Sequence, residues 1–127
     1  MRYLSTRGSA PELGFGDVLL AGLADDGGLY VPAEWPSIDT GSAGDYAALT
    51  ASVLAPYVAP EIGGDELLGL CVDSYAGFRH PEVAPLVQID DEQWLLELFH
   101  GPTLAFKDMA LQLVGRMFDL LLERRDE

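Results

Sequence analysis

Basic residues are scarce in this chain of 127 residues: 7 lysines and arginines stand against 21 acidic residues, for a formal charge of −14. Between residues 8 and 78 there is no lysine or arginine, while Glu12, Asp17, Asp25, Asp26, Glu34, Asp39, Asp45, Glu61, Asp65, Glu66 and Asp73 all fall there. Such a surface repels phosphate backbones and anionic lipid, which disfavours nucleic-acid and membrane-surface binding. The stretch reads as a solvated acidic face in preference to a docking surface for a basic partner. The single cysteine, Cys71, has no second thiol in the chain to pair with, which favours a reducing compartment. Long apolar runs are lacking too. Residues 18–24 and 120–122 fall far short of a bilayer span, and residues 1–7 lack an apolar core of signal-peptide length. The expectation is a soluble, cytoplasmic protein.

What is present is apolar mass. Apolar residues make up 49% of the chain and aromatics 9%, enough to build a core and to argue against disorder. The length suits one ordinary domain, or one small domain and part of a second. Residues 3–6 read as a short strand. Phe15, Val18, Leu19, Gly22 and Leu23 recur at helical spacing, with Asp25-Asp26-Gly27-Gly28 as the stop. Residues 29–31 are a brief extended piece before Pro32, and residues 35–44 a Ser-, Gly- and Pro-rich loop. Asp45 is an N-cap for a helix burying Tyr46, Leu49 and Val53, which Pro56 should end or kink. Residues 61–64 are a turn. The next helix carries Asp65 and Glu66 in its first turn and Leu67, Leu68, Cys71, Val72 and Tyr75 on its apolar face. Two extended runs, 86–89 and 93–98, bracket Asp90-Asp91-Glu92 as a hairpin. A last helix follows Gly101-Pro102, with Ala110, Leu113, Val114, Met117, Phe118 and Leu121 on one stripe. That stripe needs cover on more than one side, and an exposed patch at Val114, Met117, Phe118 and Leu121 would drive self-association. The fold class is α/β, a mixed α and β chain with a helical front part.

Candidate chemistry gathers near the end. The chain has one lysine, Lys107, at the junction between the extended run and the last helix. Apolar neighbours and the positive end of a helix dipole both disfavour its ammonium form, and a partly neutral amine is a nucleophile toward an aldehyde cofactor. Asp108 would oppose this if it turned inward. On spacing alone, a surface lysine with its stem on apolar neighbours is the favoured reading. Thr103 either caps the helix or bonds a ligand, with the cap favoured. His100 is either a proton shuttle or, as favoured, a loop histidine bonded to backbone. His80, His100 and Cys71 are too scattered to suggest a metal site. Gly14-Phe15-Gly16, Gly27-Gly28 and Gly63-Gly64 read as turns, without the setting of a phosphate loop. Ser5-Thr6-Arg7-Gly8 has the groups to hold an anion, although a turn with Arg7 paired to an acid is favoured.

The run from Leu98 through His100, Gly101, Pro102, Thr103, Phe106 and Lys107 to Asp108 resembles the lysine motif of the threonine synthases, fold type II pyridoxal-phosphate enzymes. Tyr3-Leu4-Ser5-Thr6-Arg7-Gly8 resembles that family's start, and residues 22–32 its early helix–turn–strand block. Residues 75–86 resemble its join to the catalytic domain. The resemblance implies conversion of O-phospho-L-homoserine and water to L-threonine and phosphate. It implies that Lys107 holds pyridoxal 5′-phosphate covalently and afterwards moves protons, with Phe106 and Thr103 as pocket neighbours. It implies a threonine synthase N-terminal domain at 1–81 and the first hairpin and helix of the catalytic domain at 82–127. The family's phosphate loop and most substrate contacts follow the lysine helix, so the 127-residue chain by itself is expected to be an inactive front fragment. The competing class is a non-catalytic acidic interaction module that kept the family fold. The intact lysine block argues against it.

Overall fold

The computed structural model describes residues 1–39 and 44–126; the remainder of the loop expected at residues 35–44 lies outside the described residues. Strand β1 (Arg2–Ser5) is the centre of a three-stranded antiparallel sheet. It pairs with β2 (Leu13–Gly14) through Tyr3↔Leu13, and with β3 (Tyr30–Pro32) through Leu4↔Val31 and Ser5↔Tyr30. Between β2 and β3 lies α1 (Phe15–Ala21). It ends earlier than the Asp25–Gly28 stop suggested, because Gly22 takes φ 71°, a left-handed conformation that closes a helix at no cost to glycine.

The loops around the sheet are held by carboxylates turned inward. Asp26 accepts from the Ser5 hydroxyl at 2.7 Å and from the backbone N–H groups of Ser9, Ala10 and Gly28 at 2.9 Å each. Arg7, expected to pair with an acid, donates instead to the Asp26 carbonyl. Of the Ser5-Thr6-Arg7-Gly8 cluster only the Ser5 hydroxyl touches the Asp26 carboxylate; the guanidinium does not. Glu61 plays a similar part at α1, taking the N–H of Gly16 at 2.8 Å from the helix start, where backbone donors lack intrahelical partners.

Helix α2 (Tyr46–Val58) begins at Asp45, whose carboxylate accepts from Ala48 N–H at 2.9 Å. It runs two residues past Pro56, so the proline does not end it. Its fully buried positions are Ala47, Ala51 and Val58, whereas Tyr46, Leu49 and Val53 are only partly covered. Helix α3 (Gly64–Tyr75) carries Asp65 and Glu66 in its first turn as expected. Leu67, Cys71, Ser74 and Tyr75 face inward, while Leu68 and Val72 are exposed. The inward face has rotated toward Ser74, whose hydroxyl is satisfied by the Leu70 carbonyl. Burial pushes the Cys71 thiol up to about 11.

Strands β4 (Leu86–Gln88) and β5 (Trp94–Leu96) form the expected antiparallel hairpin, with all six residues exposed. Helix α4 (Asp108–Arg124) packs on α3. Its Met117 and Leu121 are buried, which corrects the expectation of an exposed patch there. Exposed apolar side chains lie on the hairpin, on Phe99, Leu104, Phe106 and Leu111, and in the front part on Leu23, Leu29 and Trp35. The end of α4 ties back to the acidic front. Arg124 pairs with Glu66 at 2.5 Å and donates to the Glu61 carbonyl, and Arg125 pairs with Asp17 at 2.7 Å.

Two tests follow from this packing. Leu67 is wholly buried among Val58, Cys71 and Met117. Leu67→Ala should destabilise the chain by about 2–5 kcal/mol, read as a lowered urea midpoint at unchanged slope. The Ser5 hydroxyl, ahead of an opposing desolvation effect, and the three N–H groups hold the Asp26 carboxyl down at about 2, against 3.8 ordinarily. A depressed carboxylate contributes stability above its ordinary value and loses it as pH falls through the folded one. The Tm gap between the wild type and Asp26→Asn should therefore be constant above pH 4.5 or so and close between about 4 and 2; a gap independent of acid would refute this account.

Candidate functional site

The segment from β5 to α4 is a chain of turns. Leu104 N–H bonds to the Gly101 carbonyl at 3.2 Å, Asp108 N–H to Ala105 at 3.0 Å, and Leu111 N–H to Lys107 at 2.8 Å. Leu104 is forced to φ 63°, a left-handed conformation that costs a branched residue about 1–2 kcal/mol. Asp108 is bonded to the residue just before Leu104, Thr103. Its side chain is buried and accepts from the Thr103 N–H and the Thr103 hydroxyl at 2.8 Å each, and from the Gln112 amide at 3.3 Å. Burial raises this carboxyl, but the Thr103 and Gln112 donors outweigh it, and the net shift is below the usual carboxylate range. Gly101 sits directly against Asp108; a Cβ there would collide with the aspartate's own Cβ and carboxylate.

Lys107 occupies the N-cap position of α4 and is exposed. It lines a groove of about 470 Å³ with Leu98, Phe106 and Met109, closed on one side by Tyr46 of α2. Phe106 lies beside it and is 66% exposed. Thr103 is neither the N-cap of α4 nor a free donor, since its hydroxyl hydrogen is committed to Asp108. His100 is not bonded to backbone through its ring as expected. Its Nε2 pairs with a Glu97 carboxylate oxygen at 2.7 Å, and its ring packs on Phe99 and His80. The fold thus brings His80 and His100 together, with ring centroids 5.1 Å apart, but keeps Cys71 away in the core. Among the described residues no group of three His, Cys, Asp or Glu side chains is placed to hold a metal. No described helix is long and apolar enough to cross a membrane.

The sequence singled out Lys107, Thr103 and Phe106 and weighed Asp108 only as a charge opposing the amine; the bond between Asp108 and Thr103 and the reach of Tyr46 into the groove were missed. A signal for Asp108 existed: an aspartate opening a helix five residues after Thr103, with a tight Gly-Pro turn before both. Tyr46 gave none, because it reaches the groove from a distant helix. A larger groove, about 660 Å³, runs between α1, α2 and α4 past Phe15, Leu49, Val53 and Leu113. Its lining offers tyrosine and threonine hydroxyls but neither an amine nor a carboxylate.

A family profile described as "Threonine synthase N terminus" matches residues 2–75. Threonine synthase of Pseudomonas aeruginosa is 50% identical over all of this chain, which spans 28% of that relative's length. The crystal structure of PLP-bound threonine synthase from Brucella melitensis superimposes with a TM-score of 0.94 at 48% identity, covering 100% of this chain and 28% of that one. Threonine synthase from yeast gives a TM-score of 0.90 at 40% identity over 98% of this chain and 27% of that one. The agreement extends through the turns around Lys107, beyond the residues that the profile matches. On sequence and on shape alike, the chain belongs to the threonine synthase N-terminal family.

Proposed function

We propose that this chain is the front segment of a threonine synthase and that Lys107 is its cofactor-holding residue. The observation that supports this most directly is the placement of the chain's one lysine, exposed at the start of α4 in a groove with apolar walls, within a segment similar over its whole length to a PLP-bound relative. The donor chemistry fits: an aldehyde needs a primary amine, and no other side-chain amine exists in the sequence. Bound pyridoxal phosphate supplies an electron sink for charge developing on substrate carbon atoms. Lys107 Nζ would bind the aldehyde carbon and, once freed by substrate, take up and return protons at that same atom. Phe106 and Leu98 would exclude water along the apolar wall, and Thr103 would act through Asp108. The reaction proposed for the whole protein is conversion of O-phospho-L-homoserine and water to L-threonine and phosphate.

The division proposed is a front domain at 1–81 and the opening hairpin and helix of the catalytic domain at 82–127. The family match ending at residue 75 supports it, as does the sharp redirection at Val83, which is buried at φ 62°. A reducing, cytoplasmic setting suits the single buried thiol. Because the segment spans 28% of its relatives, residues 1–127 alone are proposed to be inactive.

Fusing residues 1–127 to the part of the Pseudomonas aeruginosa relative that follows the aligned region should yield a chimaera that releases phosphate from O-phospho-L-homoserine. In it, Lys107→Ala should lower kcat by about 10²–10⁴-fold, the usual worth of a positioned acid–base group. An active chimaera that keeps its turnover without Lys107 would refute the assignment. The same chain without the fused part should release no phosphate.

A further inference from the structure

Lys107 is held only through its backbone, since its side chain is exposed and α4 has no side-chain N-cap bond. The direction in which its amine leaves the helix therefore depends on the turns that precede it. Those turns include a strained leucine, Leu104, and they have one buried polar anchor, the Asp108 carboxylate, which grips Thr103 at two atoms across the turn. The grip is close-fitting: Gly101 leaves no room for a side chain against Asp108, so the loop has no slack on that side. Gln112, one helical turn further along α4, donates to the same carboxylate and fixes its rotamer. If the grip is released, Leu104 can relax to an ordinary φ, and residues 104–107 then lose their fixed relation to the groove formed by Tyr46, Leu98 and Met109.

We propose that Asp108 is a positioning residue: by holding the hydroxyl and N–H of Thr103 it fixes the turn that presents the Lys107 amine to the groove beside α4. The proposal rests on the reading of Lys107 given above, and it assigns Thr103 to the loop and not to direct contact with the cofactor. Asp108 has turned inward toward Thr103 and Gln112 and not toward the Lys107 amine, so it does not oppose that amine as an inward carboxylate facing it would. A carboxylate next in sequence to the amine would pair with it if both faced solvent. Here it is turned inward and satisfied by three donors.

The single lysine makes the test clean. The 127-residue chain is incubated with pyridoxal phosphate, reduced with borohydride, digested, and the labelled fraction at Lys107 measured by mass spectrometry, natively and in urea. The Met1 α-amine, whose donor bond is to the Ala59 carbonyl at the far end of α2, serves as the internal control. Native Lys107 should label about tenfold more than the same lysine in urea, the worth of laying roughly 50 Å² of apolar ring surface against the groove. Asp108→Asn and Thr103→Val should bring that ratio to about one, while Thr103→Ser, which keeps the hydroxyl, retains it; Met1 labelling should be unchanged in all of them. Near-ultraviolet circular dichroism checks folding, and if Asp108→Asn fails to fold, Thr103→Val reads the same contact from its exposed end. Variants that fold and label Lys107 as the wild type does would overturn the positioning role while leaving the cofactor assignment standing. A wild-type ratio of one would also overturn it, and the assignment of Lys107 would then be judged by the chimaera alone.

Discussion

Tyr75 sits where three helices meet, and the placement of the lysine turn depends on it. It is the last residue of α3, and its ring packs edge-on against Tyr46 of α2 at 4.9 Å and against Phe78 at 5.4 Å. Its hydroxyl donates to the Met109 carbonyl in the first turn of α4 at 2.9 Å, and burial pushes that hydroxyl up to about 12. One side chain thus joins the front helices to the turn that follows Lys107 and Asp108. Buried aromatics of this kind bring large contact area with a polar tip that must find a partner, which makes the join directional as well as strong. The groove beside Lys107 exists because Tyr46, held by this contact, forms one of its walls.

The acidic composition has a second meaning that only the fold brings out. Eleven acids in a row without a base look like solvated surface, and for most of them that is a sound expectation. Asp26 and Glu61, and Asp108 outside that stretch, behave otherwise. Each takes backbone N–H groups that a loop or helix start would leave without a partner. They do the work that a cap residue does locally, but Asp26 and Glu61 do it across 16 residues or more of sequence. The basic residues near the end of α4 complete the arrangement by reaching back to Asp17 and Glu66.

That contrast explains what was legible beforehand. Asp45 was readable as a cap because its acceptor and donor lie three residues apart, and the hairpin because alternating apolar runs flank an acidic turn. Lys107 stood out through its solitude and through a motif shared with a known family. The carboxylate at Gly16 and the contribution of Tyr46 to the groove were not readable, since each joins residues that are neighbours only after folding. Helical spacing also could not tell Leu68 and Val72 from Leu67 and Cys71; the face that α2 and α4 happen to cover decided which pair is buried. Of the stripe expected on α4, Leu113, Met117 and Leu121 are buried, Val114 and Phe118 half-buried and Ala110 exposed, so its cover was underestimated along one line of the helix only.

Cys71 gives the chain a built-in reporter. Its sulfur is sealed beneath Leu67 and Tyr75 and holds its proton far above neutral pH, so neither alkylating agents nor peroxide can reach a thiolate while the helices stay together. Chemical modification at this one atom must wait for α2, α3 and α4 to separate. Where blocking outpaces reclosure, its rate reads the frequency of that separation, and anything that clamps the helices from outside slows the clock.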